Sequence, residues 1–429
     1  MTLNCKRWIS GASLFVICSL LVPFACWSAS AQDATNAGDS PVVVEDDFEF
    51  DDDLTSNEST PSEGERGLRV IKRAPHGLLA RLDGACDVLF LDGSPREMGA
   101  AHGALMADAI SAMRDRVYAA GAAASLAKKI DFFKKTDEAI ARTRPFTPSR
   151  FYDEIHALAE SSGLSELDAE RLNNFPELFH CSGVAARGKA TKDGRVLHVR
   201  VLDYIRDIGL QENAAIIVCQ PQGYNAWLSV SYAGFVGTVT AMNEKGLAIG
   251  EMGGGGEGKW DGLPMSFLMR RVVEECSTVE EALALMKSTP LTCDYYYVLS
   301  DAQGDMAAVA AIAESDNPVE FLRAGESHPS LPGALEDVAY ISGGSRAEAL
   351  YARLKEAYGQ IDVEKLMEIV KRPVAMNSNL HDAIFAPETL DVWRAEAGAT
   401  TPACDEPYYH INLRDALDFY EREKENASF

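Results

Sequence analysis

Cys181 stands between His180 and Ser182-Gly183, and Arg200-x-x-Asp203-Tyr204 follows it beyond the turn-forming run Gly188 to Gly194. A thiol is a useful nucleophile at neutral pH when a base or a positive charge favours its thiolate, and an arginine or a freed amino group supplies either. These residue types in this order allow a nucleophilic thiol. The competing assignment is a buried structural cysteine opening a strand, because free cysteine is among the most buried residue types.

The elements that must hold these residues change character at Cys181. Upstream, residues 69 to 91 read as short strands, and Met98, Ala101, Leu105, Ala109, Ile110 and Met113 recur at helical spacing, predicting an amphipathic helix over 96–120. A second helical stretch covers 148–174. Downstream, short β-type runs alternate with turns: Val196–Leu202, Ala214–Cys219, Ala226–Tyr232, Val236–Met242 and Leu247–Glu251. Asn243-Glu244-Lys245-Gly246 and Asp301-Ala302-Gln303-Gly304 mark hairpins, the latter joining Tyr295–Leu299 to Met306–Ile312. Asp382–Phe385 and Leu390–Ala395 make another. Helices are predicted at 264–275, from the capping box Ser277-Thr278-Val279-Glu280 to about Lys287, and at 345–358 and 362–371. Grouped hairpins and grouped helices indicate an α+β layered domain, not alternating βαβ units.

The chain has 429 residues, 47% of them hydrophobic, enough for a large core. Lys6 and Arg7, the apolar stretch Ile9 to Val22 and Ala29-Ser30-Ala31 read as a signal peptide over 1–31, implying a secreted or periplasmic protein without a membrane anchor once the signal is removed. Residues 32–66 crowd Glu45, Asp46, Asp47, Glu49, Asp51, Asp52 and Asp53 among polar residues and are expected to be a disordered acidic linker. A net charge of −25 argues against nucleic acid or anionic membrane as partners. Beyond the signal lie Cys86, Cys181, Cys219, Cys276, Cys293 and Cys404, whose spacing is no disulfide framework. Without a Cys-x-x-Cys or His-Glu-x-x-His run, a metal site is not expected.

Other catalytic motifs fall away. No Gly-x-Ser-x-Gly occurs, and the glycines at 253–256 and 258 satisfy a dinucleotide fingerprint only by repetition, since Lys259 to Pro264 does not open a helix. These glycines read either as a plain turn or as a flexible loop whose backbone N–H groups, Gly253 and Gly254 among them, approach a developing oxyanion.

Cys181-Ser182-Gly183, Ala190-Thr191-Lys192-Asp193-Gly194, Arg200-x-x-Asp203-Tyr204 and Met242-Asn243-Glu244-Lys245-Gly246-Leu247 together resemble the N-terminal nucleophile hydrolases of the C45 peptidase type, typified by penicillin-side-chain acyl-CoA acyltransferase. Gly93-Ser94-Pro95-x-Glu97-Met98-Gly99-x-x-His102-Gly103 upstream, and Asn377-Ser378-Asn379-Leu380-His381 with Trp393 downstream, extend the resemblance over nearly everything from residue 67. It implies a four-layer αββα sandwich of two antiparallel sheets, with a helical segment 67–180 and a β-rich catalytic segment 181–429. It also implies self-cleavage between His180 and Cys181, after which the α-amino group, of pKa near ~8, serves as base for its own thiol. Arg200 would hold the terminus or a substrate carbonyl, and Asp203 would accept hydrogen bonds from the amino group. Residues three apart on a regular strand face opposite ways, so both reach Cys181 only if the strand ends or bulges near Leu202; the alternative is a structural ion pair.

Relatives that hydrolyse bile salts and penicillin V carry an asparagine after a similar hairpin, where this chain has Glu251-Met252-Gly253-Gly254. Gly253 or Gly254 N–H, or the amide of Asn377 or Asn379, are the substitutes; Asn243 serves its turn. Arg346 is assigned either to a substrate carboxylate or, as a helix-start arginine, to solvent. His102, His180, His198 and His381 are read as structural, with His381 also a pocket-lining residue. The resulting expectation is an exported cysteine amidohydrolase or acyltransferase for a small-molecule N-acyl substrate, without cofactor. The alternatives are an uncleaved binding module of the same fold and an extracellular interaction protein using its acidic linker.

Overall fold

The computed structural model describes residues 67–174, 180–204, 206–255 and 259–426. The signal and acidic linker assigned to 1–66 lie outside the described residues. Three strands open the fold, β1 (Leu68–Ala74), β2 (Gly77–Leu82) and β3 (Cys86–Gly93). Four helices follow: α1 (Pro95–Lys128), α2 (Phe132–Thr143), α3 (Ser149–Ser162) and α4 (Glu166–Asn174). Ser94 and Glu97 form a reciprocal capping box at the start of α1, with Pro95 inside its first turn. The single helix expected over 148–174 is two, because Gly163 adopts φ 79° and ends α3.

The chain then forms β4 (His180–Ala186), β5 (Leu197–Asp203), β6 (Ala214–Pro221), β7 (Trp227–Tyr232), β8 (Thr240–Asn243) and β9 (Ala248–Gly255). Of the glycines read as a turn or loop, Gly253 to Gly255 are the end of β9, and Gly256 and Gly258 lie outside the described residues; Gly253 pairs with Tyr295 and Gly255 with Asp294, so Gly254 is the extra residue of a bulge. Helices α5 (Met265–Glu275) and α6 (Val279–Ser288) lead to β10 (Asp294–Ser300), β11 (Met306–Ala311), β12 (Val319–Arg323) and β13 (Val338–Ile341). The cap of α6 lies one residue later than its spacing suggested, with Thr278 receiving the Glu281 N–H and Glu281 receiving the Ser277 N–H. The chain closes with α7 (Gly344–Glu356), α8 (Val363–Val370), β14 (Asn379–Ala386), β15 (Asp391–Glu396), β16 (Tyr409–Asn412) and α9 (Leu413–Asn426).

Ten strands form one sheet in the order β1-β2-β3-β6-β7-β8-β9-β10-β11-β12, and six form another, β13-β4-β5-β14-β15-β16. Neighbours are antiparallel except β3 and β6, which run parallel. The sheets face one another with helices on both outsides, giving the αββα order. Strand alternation sorts the side chains. On β4 and β5, Val184, Val199 and Val201 pack outward with Leu350, Leu354, Leu366 and Ile369 of α7 and α8. Gly183 and Arg200 point inward to the larger sheet. A Cβ on Gly183 would come within 2.9 Å of Val298 Cγ2 and 3.0 Å of Met252 Sδ, so glycine there lets the sheets meet close to Cys181.

Candidate active site

Cys181 is the second residue of β4 and lies opposite Leu202 of β5, while Gly183 lies opposite Arg200. Cys181 and Arg200 therefore share the face between the sheets. Arg200 is fully buried, and its guanidinium is committed on every side. Nη2 donates to Cys181 Sγ (3.5 Å) and to Glu251 Oε2 (3.3 Å). Nε donates to the Glu251 carbonyl (3.0 Å), and Nη1 points at His381 Nε2 (3.1 Å). A Cβ on Gly250 would sit 2.5 Å from Arg200 Cγ, so the arginine stem lies directly on that glycine.

Asp203 is the last residue of β5 and faces the other way. Its Oδ2 is ion-paired with Arg346, whose Nη2 also donates to Ser182 Oγ (2.9 Å) and whose Nε donates to the Val374 carbonyl (2.7 Å). Oδ1 accepts the Met376 N–H at 2.8 Å. Arg346 thus holds a carboxylate of the protein itself, neither a substrate group nor solvent as the sequence offered. The strand irregularity anticipated near Leu202 falls on the partner strand: Asn379 pairs with Asp203 and His381 with Leu202, leaving Leu380 as an extra residue in β14. That bulge puts Asn379 and His381 on opposite faces, with Asp203 and Arg200 respectively.

The other sequence candidates are placed as follows. Asn379 is buried, with Nδ2 donating to the Leu202 carbonyl (3.1 Å) and Asp382 Oδ1 (2.9 Å) and Oδ1 accepting the Cys404 N–H (2.7 Å). Its amide is spent on the strand ends. Asn377 is exposed. Gly253 and Gly254 lie at the β9 bulge, two and three residues past Glu251. Asn243 closes its hairpin, accepting the Lys245 and Leu247 N–H groups. His180 opens β4, opposite Asp203. His102 accepts the Gly234 N–H, and His198 contacts Ser300 Oγ.

Glu251 is a residue the sequence reading passed over while looking there for an amide. It is fully buried, and its Oε1 has no hydrogen-bond partner among the described residues. Burial pushes its carboxyl up to about 7 against the pull of Arg200. An acid in an otherwise apolar run after a β-hairpin was the available signal. Burial likewise lifts Asp203 to about 6, against Arg346 and the Met376 N–H. The Cys181 thiol is pushed up to about 12, burial outweighing Arg200. In the intact chain the sulfur is therefore a protonated thiol at neutral pH, sealed between the sheets beside one guanidinium and a carboxyl able to carry a proton. This set can stabilise negative charge on sulfur or on an adjacent oxyanion once a base removes the proton.

A family model described as acyl-coenzyme A:6-aminopenicillanic acid acyl-transferase matches residues 191–321, a span that contains Arg200, Asp203 and Glu251 and begins after Cys181. The protein dcd1B of Dictyostelium discoideum is 24% identical over 334 residues, covering 70% of this chain and 65% of that protein. The N-acylethanolamine-hydrolyzing acid amidase of Mus musculus is 25% identical over 172 residues, 38% of this chain and 47% of the amidase. The chain thus spans under two thirds of the length of either relative. Among solved structures, the Caenorhabditis elegans ortholog of that amidase aligns with a TM-score of 0.38 at 15% identity, over 48% of this chain and 93% of its own.

Proposed function

We propose that the chain is a self-processed amidohydrolase or acyltransferase of the N-terminal nucleophile hydrolases of the C45 type, with Cys181 as its nucleophile, a reading supported by the acyl-transferase family match and the N-acylethanolamine amidase relative. The observation that carries this reading is the Arg200 Nη2 placed on Cys181 Sγ, in a buried site at the head of the first strand after the proposed scissile bond. In processing, the thiol attacks the His180 carbonyl, the peptide nitrogen is released as the Cys181 α-amine, and water hydrolyses the resulting thioester. The amine then has the basicity, with a pKa near ~8, that the buried thiol lacks.

In turnover the amine takes the thiol proton and sulfur adds to the carbonyl of an N-acyl amide. Charge develops on the carbonyl oxygen beside the Arg200 guanidinium that lies on the sulfur, and the leaving amine takes its proton back from the α-ammonium. Water on the acyl-thioester gives the free acid; an amine acceptor gives transfer. Small N-acyl amides fit this chemistry, and the mouse amidase named for N-acylethanolamines makes that class the first to try. The reading of residues 1–31 as an export signal goes with hydrolysis, since acyl-CoA donors are scarce outside the cell.

Mass spectrometry of the purified chain tests the proposal. The wild type is expected to give a fragment beginning at Cys181 that Cys181→Ala does not, and to release acid from one of a panel of N-acylethanolamines, N-acyl amino acids, N-acyl homoserine lactones and penicillins. A wild type that is active yet intact across the His180–Cys181 bond would refute the mechanism.

A further inference from the structure

We propose that His381 is a positioning residue that orients Arg200 toward Cys181, and that Tyr232 and Glu396 fix the ring that does so. The inference rests on the reading of Cys181 and Arg200 as reacting thiol and charge partner. His381 is fully buried at the β14 bulge, and its two ring nitrogens face different chemistry. Nε2 lies 3.1 Å from Arg200 Nη1 and 2.9 Å from Thr240 Oγ1. A guanidinium only donates, so Nε2 must offer a lone pair. The proton then sits on Nδ1, which lies 2.9 Å from the Tyr232 hydroxyl, and the Tyr232 O–H donates onward to Glu396 Oε1 at 3.3 Å. Glu396 is in turn paired with Arg394 at 2.6 Å. The Thr240 O–H is a second donor to the same Nε2 lone pair, and the directions along the chain are set by its two ends, the cation at Arg200 and the carboxyl of Glu396.

The groups facing the imidazole come from four strands: Arg200 of β5, Tyr232 of β7, Thr240 of β8, and Arg394 with Glu396 of β15. Two cations and burial hold the ring neutral, well below its ordinary titration range. The consequence falls on Arg200. With Nε held by the Glu251 carbonyl and Nη1 by His381, rotation of the guanidinium plane is blocked from both sides, and Nη2 is the nitrogen left for the sulfur. Without an acceptor at Nη1, a buried N–H is left unpaired, and the plane turns to satisfy it at the expense of the contact with sulfur.

The test compares the full chain as wild type, His381→Ala, His381→Gln, Tyr232→Phe and Arg200→Ala. The pH midpoint of iodoacetamide labelling at Cys181 is followed by mass spectrometry, together with the rate of cleavage before Cys181 and thermal melting. Arg200 lowers the thiol's titration, so loosening it moves the midpoint to higher pH. Arg200→Ala is expected to move it most, His381→Ala in the same direction with cleavage slowed about ten- to a hundredfold, and Tyr232→Phe less. His381→Gln, whose carbonyl oxygen can take the Nη1 proton, is expected to restore cleavage to within about threefold of wild type. A midpoint that moves in Arg200→Ala and not in His381→Ala overturns the inference and leaves the reading of Arg200 standing. Midpoints unmoved in both overturn that reading, and the inference with it. A glutamine variant as slow as the alanine variant would show that the ring merely fills space, and overturns the inference as well.

Discussion

Asp382 shows at the scale of one residue how strongly this interior favours neutral groups. Its carboxyl is buried on the outer side of β14 and hydrogen-bonded to two uncharged donors, Asn379 Nδ2 at 2.9 Å and the Tyr408 hydroxyl at 3.0 Å. Burial lifts its pKa from 3.8 to about 7. A carboxyl whose folded pKa is raised binds more protons in the native than in the unfolded chain. Its contribution to stability is therefore complete below about pH 4 and lost as the pH rises through about 7. Asp382→Asn imitates the protonated form. It is expected to melt several degrees above wild type at pH 8, with the difference narrowing as the pH falls below about 7 and closing by about pH 4. Asp203, Glu251 and Glu396 are raised for the same reason and remain in both proteins, so their effects largely cancel in the comparison. Melting curves that stay parallel across this range would show that Asp382 is ionised in the fold at all these pH values.

At the scale of elements, the site depends on two close approaches that side chains would block. Arg200 lies on the bare Cα of Gly250, where an added Cβ would be 2.5 Å from its Cγ and 2.9 Å from its Cβ. These are rigid stem atoms, so Gly250→Ala must push Arg200 or the strand aside. It is expected to cut cleavage before Cys181 by more than about tenfold, with β9 still paired; a variant cleaved at the wild-type rate would show that the arginine has room to shift. Much of this framework was legible in the sequence. Strands β5, β6, β7, β10 and β11 and helices α5, α7 and α8 follow their periodicity to within about two residues, because apolar alternation and turn residues are local signals. Cys181 and Arg200 were joined only by the family resemblance; their nearness comes from the pairing of β4 with β5, and β4 gave no strand signal of its own. The roles of Arg346 and Glu251 were not legible. Arg346 meets Asp203 across 143 residues of chain, and Glu251 reaches Arg200 across the gap between two sheets. Neither contact leaves a local pattern, nor does the β14 bulge that places Asn379 and His381 on opposite faces. The short strands β12, β13 and β16 also escaped, being too short for alternation to stand out.

At the scale of the whole molecule, the segment before Cys181 is built into the fold. β3 pairs with β6 over six residues within the ten-stranded sheet, and Asn173 of α4 accepts the Val236 N–H at 2.7 Å and donates to the Gly234 carbonyl at 3.0 Å. A further buried link is ionic. Arg270 of α5 is 1% exposed and donates to Glu154 of α3 at 2.7 Å, to Glu274 at 2.8 Å and to the Val236 carbonyl at 2.8 Å. Satisfying that many of its N–H groups offsets the cost of removing the charges from water, but removing the cation alone leaves Glu154 facing a dry interior and Glu274 with Arg150 as its remaining cation. If the His180–Cys181 bond is cut, the two pieces are expected to co-elute on size exclusion and to part only in denaturant. Arg270→Met should lower stability by roughly 3–5 kcal/mol, seen in urea melts of uncleaved Cys181→Ala, and should let the cleaved pieces separate at lower urea than wild type. A cleaved wild type whose pieces separate in native buffer would mean that the covalent link, and not this interface, keeps the helical layer on the sheet.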